Sequence, residues 1–518
     1  MSKPKTESLG RSSGKISLAT AGSRVTGLLR ETVFAYLLGG SLAADAYFAA
    51  TRLPNLLRDL FAEGALGSAF VPVLSDALAR GEVEQARRLV RSMAWLLAWS
   101  VGLIVALCVL CAPWLVAGLA PGFAGVPGKV ELTASLVRWT FPYLWVVSLS
   151  ALVAGTLNSL RRFGIPAAAP IFFNIGHILT AVLFWTVFDP PVLALAVGVL
   201  LGSGCQLLFQ WPVLKREGFS LFGPVALRDP LVGRVLRLLF PAVLGLAALQ
   251  LNNLATTVIA SFLAEGSLAY LNYAFRLMHF PLGVFAVAVG TAVLPRASEA
   301  VAKGERDVLS STFGDGLRLA AFLVIPAALF LVAFPREVVS VVYEHGAFGP
   351  ADTEATSWAL RFYALGLLGY TGVRVVAPFF YAHKDTRTPV RYAMIAVGTN
   401  VILNVALAVP MGAGGLALAN AISGTLNFVL LRRRLGTQYG LSLSREVWRD
   451  LAGFMFTGLV ATLAAFGVSL LCGTPEGFAP ELLALGAVGG TFVLVYALPV
   501  WRKGSAARSV IRQLLKRG

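Results

Sequence analysis

Pro72-Val73-Leu74-Ser75-Asp76-Ala77-Leu78-Ala79-Arg80-Gly81-Glu82 comes back later in the chain as Pro295-Arg296-Ala297-Ser298-Glu299-Ala300-Val301-Ala302-Lys303-Gly304-Glu305. The offset is 223 residues. The same offset carries Pro166, after the basic turn Arg161-Arg162, onto Pro389, after Lys384-Asp385-Thr386-Arg387. Upstream, the run from Ala46-Tyr47 to Arg52-Leu53 matches the run from Ala269-Tyr270 to Arg276-Leu277, with one inserted residue. A chance match of small residues does not hold one register at separate points. The chain is therefore read as two copies of one unit.

The surrounding composition says what kind of unit repeats. Of 518 residues, 57% are hydrophobic and 13% charged, and mean hydropathy is +0.76. Soluble domains carry about 25% charged residues, so the apolar surplus faces lipid. A span needs about 20 mostly apolar residues. Fourteen such runs are expected, near 15–38, 43–66, 92–118, 132–156, 165–188, 190–214, 232–264, 267–295, 313–334, 356–382, 388–409, 413–432, 451–472 and 480–501.

Loop charge tests that count. With the N-terminus inside, 32 of the 43 Lys and Arg fall in inside loops or tails, and the outside loops hold Lys129 and Arg336 alone. A miscounted span would invert the bias downstream, and the alternation never breaks. Fourteen spans with both termini cytoplasmic follow from the positive-inside rule. The expected fold is an all-α polytopic membrane protein. Its N-terminal lobe is 1–225 (spans one to six) and its C-terminal lobe 226–440 (spans seven to twelve). Residues 441–518 add two spans and a basic tail helix at 505–517, placed on the anionic cytoplasmic leaflet. An even number of spans per copy makes the lobes parallel repeats around a central cavity.

The net charge of +17 would suggest nucleic acid in a soluble protein; here topology accounts for it, and no nucleic-acid partner is expected. Cys108, Cys111, Cys205 and Cys472 all lie in apolar runs without metal-ligand neighbours. Residues 1–14 are polar, and the first apolar run carries arginines and no cleavage site, so no cleaved leader is expected. The stretch Gly10-Arg11-Ser12-Ser13-Gly14-Lys15-Ile16 lacks P-loop spacing. His177, His279, His345 and His383 are scattered. Neither enzyme, cofactor nor metal is read here.

The chemistry lies in nine arginines within the spans: Arg24, Arg30, Arg52, Arg58, Arg138, Arg276, Arg318, Arg361 and Arg374. Each costs at least ~2.5–3.5 kcal/mol at the bilayer centre unless it faces a partner or water. Arg24 with Glu31, and Arg52 with Asp59, stand two turns apart on one helix face, a spacing for neutralising pairs. Asp45 and Glu63 are the other deep carboxylates. Arg30, Arg58 and Arg276 have fewer carboxylates to meet. A guanidinium fork suits phosphate oxygens, so Arg24, Arg30, Arg52, Arg58 and Arg276 are the candidate substrate-binding residues. Glu31, Asp45, Asp59 and Glu63 are the candidate gating or charge-pairing ones. Asn252, Asn253, Thr256, Asn400, Asn404, Asn420 and Asn427 read as helix-joining polar groups.

Several runs resemble the MurJ (MviN) family of bacterial lipid II flippases, within the multidrug/oligosaccharidyl-lipid/polysaccharide exporter (MOP) superfamily. They are Ser23-Arg24-Val25-Thr26-Gly27-Leu28-Leu29-Arg30-Glu31, Ala44-Asp45-Ala46-Tyr47-Phe48, Leu53-Pro54-Asn55-Leu56-Leu57-Arg58, Phe61-Ala62-Glu63-Gly64-Ala65 and Ala377-Pro378-Phe379-Phe380-Tyr381. The resemblance implies fourteen helices, with the last pair forming a groove for a polyprenyl tail. It implies flipping of lipid II, an undecaprenyl-diphosphate-linked disaccharide peptide, across the inner membrane for cell-wall synthesis and cell shape, with membrane lipids and cell-wall enzymes as partners. It matches Arg24, Arg30, Asp45, Arg58 and Arg276 to positions important for flipping, and Glu63 to an acidic position near the gate. Two departures are Phe275 and His279, where some members carry Asp and Glu. Thr256 and Asn404 stand where a family sodium site uses carboxylates. Alternatives are a flippase for another polyprenyl-linked oligosaccharide or a cation-coupled multidrug antiporter.

Overall fold

A computed structural model describes residues 9–283, 287–473 and 477–503. Among them there is no strand, and ten helices are long and apolar enough to cross a membrane. The chain is an all-α, multi-pass membrane protein. The other four expected spans coincide with helix Leu9–Leu38, the broken rod 42–79, helix Pro230–Ala260 and the pair Ser267–Pro281 and Val287–Lys303. Three of these four hold all five candidate arginines, whose charge lowers the hydropathy of the helices that carry them. The tail expected at 505–517 lies outside the described residues.

The repeat reaches down to turn geometry. Helix Val83–Leu110 and helix Arg306–Ala333 begin and end at positions 223 apart. Helices Leu42–Arg58 and Ser267–Pro281 end at equivalent residues, as do Leu193–Arg216 and Ala413–Tyr439. After the quoted motif, Gly81 and Gly304 adopt φ +78° and +71°. Each closes its helix with a Schellman pair: Glu82 N–H to Ala77 O (3.0 Å) with Gly81 N–H to Leu78 O, and Glu305 N–H to Ala300 O (2.9 Å) with Gly304 N–H to Val301 O. Arg161 and Lys384, again 223 apart, both sit at φ 59° and are the non-glycine residues in the left-handed region among those described.

The span expected at 43–66 is not one helix. Ser41 caps it through its hydroxyl to Ala44 N–H, and Pro54 lies inside. At Asp59–Gly64 the chain widens into a π-helical turn before helix Ala65–Ala79. Proline removes one backbone donor and glycine loosens the register. The π turn falls on the segment that holds Asp59 and Glu63.

Two compact units form. The first comprises residues up to Phe34 together with Ser41–Leu268; the second comprises Ala35–Gly40 and everything from Ala269. Helix Pro230–Ala260, first in the second copy by sequence, packs in the first unit, where its Arg234 reaches Asp76 (3.0 Å). In the second unit, Phe313, Phe379, Phe380 and Val375 form a core. The last two long helices, Arg445–Cys472 and Phe478–Lys503, join it there. Phe492 packs edge-on against Phe330, and Tyr496 stacks on Phe322 and donates to its carbonyl (2.9 Å).

Candidate functional site

Helix Leu9–Leu38 carries Arg24, Arg30 and Glu31. The two-turn spacing pairs Glu31 with Arg24, but Glu31, 2% exposed, takes its own neighbour: Arg30 Nη2 donates to Oε1 at 2.6 Å. Arg30 also donates from Nη1 to Asn174 Oδ1 (3.1 Å) and lies over the rings of Phe34 and Phe173, each 5.6 Å away. The long arginine stem curls back on its own turn once Asn174 and two rings hold its far side. Arg24 is half-buried and has no ion pair among the described residues.

The rod 42–79 shows the same preference for neighbours. Arg58 binds Asp59 (2.9 Å). Arg52 instead reaches helix Pro230–Ala260, donating from Nε to Thr257 Oγ1 (2.9 Å) and from Nη2 to the Asn253 carbonyl (3.4 Å). Gln250 on that helix donates to Asp59 (3.3 Å). The expected Arg52–Asp59 partnership is thus replaced by Arg58–Asp59, because helix Pro230–Ala260 supplies Arg52 with neutral acceptors. The side chain of Glu63 lies outside the described residues.

Asp45 sits 2% exposed at the start of its helix and is fully engaged. Lys129 Nζ donates to it (2.9 Å), as do the backbone N–H groups of Gly266 (2.9 Å) and Leu268 (3.1 Å). Lys129 lies 4.2 Å from the centre of the Phe123 ring. Among the spans Lys129 looked like a loop charge. Its isolation, one of two cations in all the outside loops, was the signal that it had a buried acid to meet.

Helix Gly164–Phe184 holds the residues that pattern reading passed over. Asn174 donates to the Ser23 carbonyl (3.2 Å) and to Thr26 Oγ1 (3.1 Å). His177, 1% exposed, donates from Nε2 to the Leu195 carbonyl (2.9 Å), and the same nitrogen lies 3.4 Å from Tyr47 Oη. Helix Leu193–Arg216 comes close enough for this through Gly198 and Gly202. A Cβ on Gly202 would lie 2.6 Å from the Phe173 carbonyl oxygen, a small-xxx-small approach.

In the second unit, Arg276 is exposed on helix Ser267–Pro281, between Phe275 and His279, whose rings are 3.8 Å apart. No Asp or Glu occurs from 267 to 298. Arg318 is withdrawn from any site: it pairs with Asp450 (2.9 Å) and Asp315 (3.2 Å), tying helix Arg306–Ala333 to helix Arg445–Cys472. In the first unit Thr256 donates to the Asn252 carbonyl, and in the second Asn404 donates to Asn400 Oδ1. None of these four residues is a carboxylate.

A family model described as lipid II flippase MurJ matches residues 34–485. The chain belongs to the MurJ family. A probable lipid II flippase MurJ from Vibrio cholerae is 37% identical over 501 residues, covering 93% of this chain and 94% of that protein. A solved structure, lipid II flippase MurJ in an inward closed conformation, superposes with a TM-score of 0.78 at 27% identity, covering 94% of this chain and 99% of that one. An inward-facing multidrug resistance transporter of the MATE family, in the MOP superfamily, shares the fold at 14% identity: its TM-score is 0.66, with 81% of this chain and 96% of that one covered.

Proposed function

We propose that this MurJ-family chain moves lipid II from the cytoplasmic to the outer leaflet of the bacterial inner membrane by alternating access, with both termini cytoplasmic. The work is transport, not catalysis. The observation that carries the reading is the charge of two consecutive helices. They hold Arg24, Arg30, Arg52 and Arg58, and of these Glu31 and Asp59 engage Arg30 and Arg58. Asp45 is spent on Lys129. Such helices suit a diphosphate, whose oxygens match guanidinium forks.

In the proposed cycle the lobes 1–225 and 226–440 open inward, and Arg24, Arg30, Arg52, Arg58 and Arg276 draw in the diphosphate. The polyprenyl tail stays in lipid or beside residues 441–518. The lobes then rock, and the headgroup leaves outside, where cell-wall enzymes take it. An inside-negative potential favours outward movement of the anion by ~2.3 kcal/mol per charge per 100 mV.

The test is lipid II sidedness in proteoliposomes holding the full chain. Arg24→Ala and Arg276→Ala, correctly inserted, are expected to lose flipping; full activity in both would remove the arginines from the mechanism.

A further inference from the structure

Arg30 has five donors and an unusual set of neighbours. Its Nη2 meets a carboxylate, its Nη1 meets a neutral amide, and its Nε is buried without a partner among the described residues. A buried donor left open marks a position where an acceptor is missing. The amide belongs to Asn174, 5% exposed, which uses its own NH2 to grip Ser23 O and Thr26 Oγ1 one to two turns earlier in the Arg30 helix. One side chain therefore fixes both the helix and the guanidinium it carries.

The repeat says why this is not a device of the fold. The 223-residue offset puts Val397 opposite Asn174, Asn253 opposite Arg30 and Leu254 opposite Glu31. At those positions the second copy has no arginine, no acid and no amide opposite Asn174.

We propose that Asn174 is a positioning residue for anionic substrate. It orients Arg30 through a neutral acceptor so that the local charge of Arg30 and Glu31 stays at zero instead of turning negative. An amide satisfies a guanidinium donor without cancelling its charge. A carboxylate in the same place would satisfy it equally well and leave one net negative charge beside the diphosphate path. The inference rests on the reading of the chain as a diphosphate-lipid flippase.

The test measures binding of lipid II to the purified full chain in detergent, with melting temperature alongside. Wild type must bind; if it does not, the functional reading fails and this inference with it. With wild-type binding in hand, Asn174→Asp is expected to weaken affinity at least about tenfold while melting at the wild-type temperature or above, since the new carboxylate still accepts from Arg30. The double variant Asn174→Asp with Glu31→Gln restores one acid and one amide around Arg30 and is expected to recover affinity to within about threefold. Unchanged binding in Asn174→Asp would overturn the proposal. So would a double variant as weak as the single one, which would make position 174 a matter of shape and not of charge. If Asn174→Asp fails to accumulate, the double variant decides alone: near-native affinity supports the role and lost affinity refutes it.

Discussion

The two copies of the repeat share a backbone and differ in what they bury. Positions 81 and 304 turn the chain with the same positive φ, positions 161 and 384 with the same strained one, and helices 83–110 and 306–333 have identical limits. Yet the first copy carries Arg24, Arg30, Glu31, Asp45 and Arg58 where the offset gives Ala247, Asn253, Leu254, Leu268 and Pro281. What both copies keep is glycine placement, helix length and apolar pattern, the determinants of a membrane helix bundle. What the first copy adds at these five positions is charge, which costs stability in a bilayer and so marks use.

The sharpest way to break that contrast is in the charged copy. Arg24→Ala should cut lipid II flipping by roughly 10- to 10,000-fold, the loss of one to two charge-assisted hydrogen bonds at about 1.5–3 kcal/mol each, while leaving the melting temperature in place. Proteoliposome flipping and thermal unfolding in detergent measure the two separately.

Next in size are two effects on stability. Removing one member of a buried ion pair costs about 3–5 kcal/mol because the other charge is left alone. Asp45→Asn or Lys129→Met should therefore destabilise strongly, and Asp45→Asn combined with Lys129→Met much less than the two losses added. Gly202→Leu drives a side chain into the Phe173 carbonyl. Overpacking of this kind costs about 1–3 kcal/mol or more, and lower yield and an earlier melting transition would show it.

The smallest test asks whether the copies are equivalent where they look equivalent. A non-glycine residue in the left-handed region carries about 1–2 kcal/mol of strain, part of which glycine returns to the unfolded chain. Arg161→Gly and Lys384→Gly should each stabilise by up to about 1 kcal/mol, and by similar amounts. Unequal shifts in melting would show that the repeat stops at backbone geometry.

Much of this was open to sequence reading because its causes are local. The spacing of apolar residues sets the helices, the loop charges set the expected topology, and glycine at 81 and 304 ends helices wherever the chain goes. Register between Pro72 and Pro295 reveals duplication without any contact being known. The candidate arginines were visible for the same reason, since a charge in an apolar run is anomalous on its face.

Partnership was not open to it. Helical spacing put Arg24 with Glu31 and Arg52 with Asp59, while the folded chain gives Glu31 to Arg30, Asp59 to Arg58, and Arg52 to Thr257. Lys129 read as a loop charge and Asn174 as nothing in particular. A long side chain reaches any acceptor within several ångströms, and which acceptor stands there depends on helices distant in sequence. The sequence by itself determined the helices, their repeat and the surplus of arginine; only tertiary packing decided which carboxylate, amide or ring each arginine meets, because that choice is made between helices and not along them.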